Sequence, residues 1–190
     1  MEKEILKQKI DESISAINYL KEDMNKIYEF ADTIYSRLNQ GNKILIFGNG
    51  GSAADSQHIA AELVGRFSRE RKGASAIALT TDSSILTAIG NDYGFENIFA
   101  RQVEAHAKLD DILWGISTSG NSENVIKAFK KGKEIGTYNM SFTGRDSGIV
   151  GAISDFNLNI PVQNTARIQE AHLVAYHLIC DIVEENLLNN

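Results

Sequence analysis

Apolar residues recur every three or four positions through the first forty residues. Ile10, Ile14, Ile17 and Leu20 form one series, and Ile27, Phe30, Ile34 and Leu38 form a second. That period predicts helix over residues 2–39, with a break near Glu22-Asp23. A stripe of this length has to be buried. It can serve as one layer of the domain or as a subunit-assembly surface, and the second is expected. The chain then divides into an N-terminal helical segment, 1–39, and an α/β core, 40–190, within a single domain.

Beyond residue 40 the pattern changes to short apolar runs separated by helical stretches. Strands are predicted at 43–47, 76–79, 111–116, 138–142 and 156–160. Helices are predicted at 54–66, in pieces over 84–106, at 122–135 and at 165–188. This alternation implies a doubly wound parallel sheet of about five strands with helices on both faces. Ligands on such sheets bind beyond the carboxyl ends of the strands, which directs attention to the loops after Phe47 and Ile116. Segment 137–142 is too polar for a buried central strand, so an edge position is expected. Residues 144–151 read as surface loop.

Composition narrows the functional classes. The 190 residues are 43% hydrophobic and 23% charged, an ordinary globular profile without linker, repeat or low-complexity segment. A net charge of −6 argues against nucleic-acid binding, so an anionic ligand needs a local pocket. No apolar run reaches membrane-spanning length, and the start mixes both charge signs rather than forming a secretory signal. The single cysteine, Cys180, has no internal disulfide partner, and a cytoplasmic location is expected.

The candidate chemistry begins with two loops. Gly48-Asn49-Gly50-Gly51-Ser52-Ala53 joins a strand to a helix, where glycines admit close approach of backbone N–H groups to an anion. It also matches G-x-G-x-x-A, but no acidic residue ends the next strand, and the Gly-Lys-Ser/Thr of a nucleotide P-loop is missing. Ser117-Thr118-Ser119-Gly120-Asn121-Ser122 offers four hydroxyls at a second strand-to-helix junction, enough to surround a phosphate without a cation. Ser122 alone is equally a helix cap. His58 and Glu62 lie four apart on one helix face, a spacing that also suits a surface ion pair. Gln169 and His177 lie on or beside the apolar stripe of the last helix, about 12 Å apart along its axis. Arg66 is either a substrate contact or a solvated helix end. His106 reads as surface, His172 as structural and Cys180 as core.

The segments 116–122, 48–55, 79–82, 86–93 and 166–170 together resemble the phosphoheptose isomerases, a family of SIS (sugar isomerase) domains with a flavodoxin-like fold. The resemblance implies conversion of sedoheptulose 7-phosphate to D-glycero-D-manno-heptose 7-phosphate through an enediolate, the first step of ADP- or GDP-heptose biosynthesis for lipopolysaccharide or capsule. It implies Glu62 and His177 as the catalytic pair. It implies one Zn2+ per subunit on His58, Glu62, Gln169 and His177. The phosphate would rest on Ser117, Thr118, Ser119 and Ser122. The sugar would meet Asn49, Gly50, Gly51, Ser52, His58, Glu62, Asn91, Asp92 and Gln169. A homotetramer with active sites between subunits is the implied assembly, without nucleic-acid or membrane partners. Ala166 stands where some members carry an acid. A related SIS protein, the regulatory DnaA initiator-associating type, lacks the glutamate and late histidine found here. It stands as the non-catalytic alternative, and a dinucleotide-binding dehydrogenase is a third.

Overall fold

The structure, a computed structural model, describes residues 2–189. Two helices open the chain, α1 (Lys3–Glu22) and α2 (Met24–Asn39), with the break at Asp23 where the periodicity shifts. Strands and helices then alternate as β1 (Ile44–Gly48), α3 (Gly51–Val64), β2 (Ala76–Ala78), α4 (Ser83–Tyr93), a 3-10 turn (Phe95–Asn97), α5 (Ile98–His106), β3 (Ile112–Ser117), α6 (Glu123–Ile135), β4 (Tyr138–Gly144), α7 (Gly148–Ile153), β5 (Phe156–Ile160) and α8 (Thr165–Leu188). All strand pairs are parallel, in the order β2-β1-β3-β4-β5. This is the flavodoxin-like order, and its switch point lies between β1 and β3, where the chain winds away to opposite sides.

Side chains alternate across the sheet and fill two cores. Ile44, Ile46, Trp114, Ile116, Met140 and Phe142 face α1, α2, α3 and α8, whereas Leu45, Phe47 and Leu113 face α5 and α6. The second helix belongs to the first core. Phe30 has no exposure and stacks on Trp114, Phe142 and Phe156 at centroid separations of 4.8, 5.1 and 5.5 Å. So α2 forms a layer of the domain. The apolar positions left exposed in this segment are mostly on α1, at Ile5, Leu6, Ile10 and Ile14, with Tyr28 on α2.

Two expectations need correction. β4 lies between β3 and β5, not at the edge. Its apolar Met140 and Phe142 face one core, and Asn139, Ser141 and Thr143 point the other way, fully buried yet paired. Asn139 Nδ2 donates to Phe129 O at 2.9 Å, and the Ser141 and Thr143 hydroxyls donate to Asn157 Oδ1 at 2.9 and 2.8 Å. Satisfied polar groups are tolerated inside a sheet, so polarity did not mark an edge. Segment 144–151 also contains a helix, α7, whose Val150 is buried.

Candidate active site

The hydroxyl-rich loop leaves the carboxyl end of β3 beside the switch point. Ser117 Oγ lies 2.9 Å from Ser122 Oγ and 3.5 Å from Ser119 Oγ, so three hydroxyls converge. The Ser122 hydroxyl therefore turns into the loop rather than capping α6. Gly120, at φ 66°, lets the chain turn back and packs directly on the Ser147 backbone. The Asn121 amide bridges Ser119 O at 2.9 Å and the Ile149 N–H at 3.2 Å, pinning the loop to α7. The result is a hydroxyl cup at the start of a 13-residue helix, suited to a phosphate monoester. Thr118 is half-buried in the same loop.

The first loop lies against it. Gly50 adopts φ 56° with ψ −119°, a conformation that favours glycine, and delivers the chain into α3. The Asn49 and Asn124 amides exchange two hydrogen bonds, 2.9 and 2.8 Å, tying this loop to α6. Ser52 is buried beneath Gly48. Gln169 of α8 fills the space over Gly51 that a dinucleotide pyrophosphate would have to enter. Asn91 and Asp92 lie on the exposed face of α4, where Asn91 Nδ2 donates to Asp92 Oδ1 at 2.7 Å.

The acid–base residues gather further along α3. This helix and α8 run side by side in the same direction: Gln169 meets Gly51, Tyr176 and His177 meet His58, and Glu184 meets residues 67–69. His58 Nε2 lies 3.0 Å from Glu62 Oε1. The His177 ring stands 5.1 Å from that of His58, edge to face, and 5.7 Å from Phe67. His58, Glu62 and His177 therefore form one cluster, as expected. Gln169 is not drawn into it, because Gly51 precedes His58 by seven residues, about 10 Å of helix rise.

Behind the cluster sits a buried support. The Tyr176 hydroxyl lies 2.9 Å from His58 Nδ1 and also interacts with the Asp55 carboxyl. Burial raises Asp55 to about 6, against the opposing effects of His58 and Tyr176. Burial pushes Tyr176 well above its ordinary pKa, and the Asp55 charge adds to this. Burial, reinforced by the neighbouring His58, holds the His177 imidazole below its ordinary pKa, against the opposing pull of Glu62. Glu184 closes the far end. Its buried carboxylate accepts the N–H groups of Phe67, Ser68 and Arg69 at 2.8, 2.9 and 2.8 Å. Arg71, 3.4 Å from the same carboxylate, donates to the carbonyls of Glu62 and Leu63 at 2.8 and 2.9 Å. The segment after α3 and the end of the helix bearing Glu62 are thereby fixed.

Imidazole nitrogen and carboxylate oxygen suit zinc in kind. Among the described residues, however, no group of three or more His, Cys, Asp or Glu side chains is placed to hold a metal ion. His58, Glu62 and His177 match zinc in donor type alone, as two imidazoles and one carboxylate brought side by side.

Sequence reasoning missed Asn124, Asp55, Tyr176, Phe67 and Glu184. Tyr176 was hidden within the apolar stripe, although Asp55 precedes His58 by one helical turn. Elsewhere the expectations hold: His106 is exposed, Cys180 is buried, and His172 is buried with Nε2 at 2.9 Å from Thr143 O. Arg66 is exposed, 3.6 Å from Glu70.

Comparison with known proteins identifies the family. Residues 8–144 match the SIS domain family model. The chain is 56% identical over 160 residues to the phosphoheptose isomerase of Aquifex aeolicus, covering 84% of each. It is 49% identical over 188 residues to that of Clostridium acetobutylicum, covering 97% of this chain and 96% of the other. The solved phosphoheptose isomerase of Neisseria gonorrhoeae superposes with a TM-score of 0.91 at 44% identity, covering 96% of this chain and 98% of that one. The Francisella tularensis structure gives 0.92 at 36% identity, covering 96% and 97%. On the family-model match, the near full-length identity and the fold together, the chain belongs to the phosphoheptose isomerase family of SIS-domain proteins.

Proposed function

We propose that this protein isomerises sedoheptulose 7-phosphate to D-glycero-D-manno-heptose 7-phosphate in the cytoplasm. The observation that carries the reading is the convergence of His58, Glu62 and His177 in a chain that also presents a cationless phosphate cup. Aldose–ketose exchange moves a proton between C1 and C2, which needs a base at carbon and an acid at oxygen. Glu62 takes the carbon proton and returns it to the neighbouring carbon. His177, held below its ordinary pKa, exchanges protons with the sugar oxygens and assists ring opening. Zinc held by His58, Glu62 and His177 would polarise those oxygens.

The two halves of the site belong to different copies of the chain. The cup and Gln169 lie at the start of α3, whereas Glu62 comes eleven residues after Gly51, roughly 16 Å along the helix. An offset of that size favours pairing the cup of one copy with the acid–base trio of another. Around the trio, Ala54, Ala61, Val64 and Leu173 are exposed, leaving a face for a second copy. Within a homotetramer, Gln169 of that copy would help hold the zinc. The relatives are named as enzymes and the acid–base residues are all present here, so catalysis is favoured over a regulatory role.

The test is turnover of sedoheptulose 7-phosphate by purified protein, with and without chelator and added zinc. In Glu62→Gln, which keeps the shape and removes the base, kcat should fall about 10²–10⁴-fold. Near-normal turnover in that variant would end the assignment.

A further inference from the structure

We propose that Tyr176, backed by Asp55, is the positioning residue that fixes the orientation of the His58 ring. The inference rests on the reading of His58 as a site residue. The His58 side chain is 43% exposed on a helix surface, where an imidazole would ordinarily rotate and flip. The Tyr176 ring has no exposure, so its hydroxyl is a rigid anchor, 2.9 Å from His58 Nδ1. That contact leaves Nε2 as the nitrogen facing Glu62, 3.0 Å away.

Asp55 stands one helical turn before His58, and its buried Oδ2 finds no partner at hydrogen-bond distance among the described residues. Its carboxyl interacts with the same Tyr176 hydroxyl and so backs the anchor. With Nδ1 held by Tyr176 and Nε2 by Glu62, both ring nitrogens have fixed partners and the imidazole plane is held. Tyr176 and Asp55 thus present His58 in one orientation, much as outer-shell partners orient metal-bound histidines.

The experiment compares the wild type with Tyr176→Phe, Asp55→Asn and a control at exposed His106, His106→Asn. Zinc affinity is measured by chelator competition on the purified full chain, alongside kcat and KM. Tyr176→Phe should bind zinc about 10–100-fold more weakly and lose kcat at an unchanged KM, with Asp55→Asn shifted in the same direction and the control unchanged. A folded Tyr176→Phe that holds zinc as tightly as the wild type would overturn the proposal. Should Tyr176→Phe fail to fold, the same criterion passes to Asp55→Asn. Should the wild type take up no zinc, the metal reading fails separately. The positioning claim is then decided by kcat, which must still fall in Tyr176→Phe and overturns the claim if it does not.

Discussion

Two inactive variants should restore one another when mixed. The first is Glu62→Gln, which lacks the base. The second is Ser122→Asp, which keeps a good helix-start residue ahead of α6 but places a negative charge in the phosphate cup. Each variant alone should turn over little substrate. The offset of roughly 16 Å between the start of α3 and Glu62 is the reason for proposing that the two halves of a site come from different chains. In a mixed oligomer, a cup from a Glu62→Gln chain can face a base from a Ser122→Asp chain. With equal amounts and random assembly, half of the cups and half of the bases are sound. About one quarter of the sites then recover both in a closed symmetric oligomer. The assay is co-expression with two affinity tags, tandem purification to guarantee mixed oligomers, and initial rates on sedoheptulose 7-phosphate. Mixed oligomers no more active than either parent would show that each site is built within one chain, and the reasoning from helix length would be wrong.

Other consequences can be measured directly. Burial would raise the Glu184 carboxyl, but hydrogen bonds from the backbone of Ser68, Arg69 and Phe67 outweigh it and hold the group at about 2. A depressed carboxyl stabilises the fold above its unfolded value and loses that contribution as pH falls through the folded one. From about 4.5 down to about 2, on the order of 3 kcal/mol should therefore disappear. Denaturant titrations should find Glu184→Gln well below the wild type at pH 7, with the gap narrowing by pH 3; a gap independent of pH would refute the linkage. At Gly120, φ 66° and the contact with the Ser147 backbone leave no place for a methyl group. Gly120→Ala should raise KM through the phosphate cup far more than it lowers kcat, as steady-state kinetics would show.

Much of the fold was legible because periodicity reports burial. The break at Asp23, the alternation after residue 40 and the bounds of α8 follow from apolar spacing alone. The polar strand misled because spacing cannot see partners. Asn139, Ser141 and Thr143 read as exposed until Asn157 and Phe129 are brought beside them. The role of α2 misled for a related reason: a stripe demands burial without naming what covers it, and Phe30 meets Trp114 of the same chain.

The site divides along the same line. Motifs could name His58, Glu62, Gln169 and His177, but not the offset between the two helices that carry them. That offset is set by packing. With Gly51 against Gln169 and His58 against Tyr176 and His177, α3 and α8 advance together, so Gln169 stays one end of a helix away from the trio. The same register brings Tyr176 behind His58 and Glu184 under the turn that follows Glu62. If all four residues hold one ion, Gln169 and His177, eight residues apart on the same helix, must lean toward each other or come from different chains, and the observed register favours the second. Helix geometry thus turns a proposed ligand list into a testable proposal about assembly.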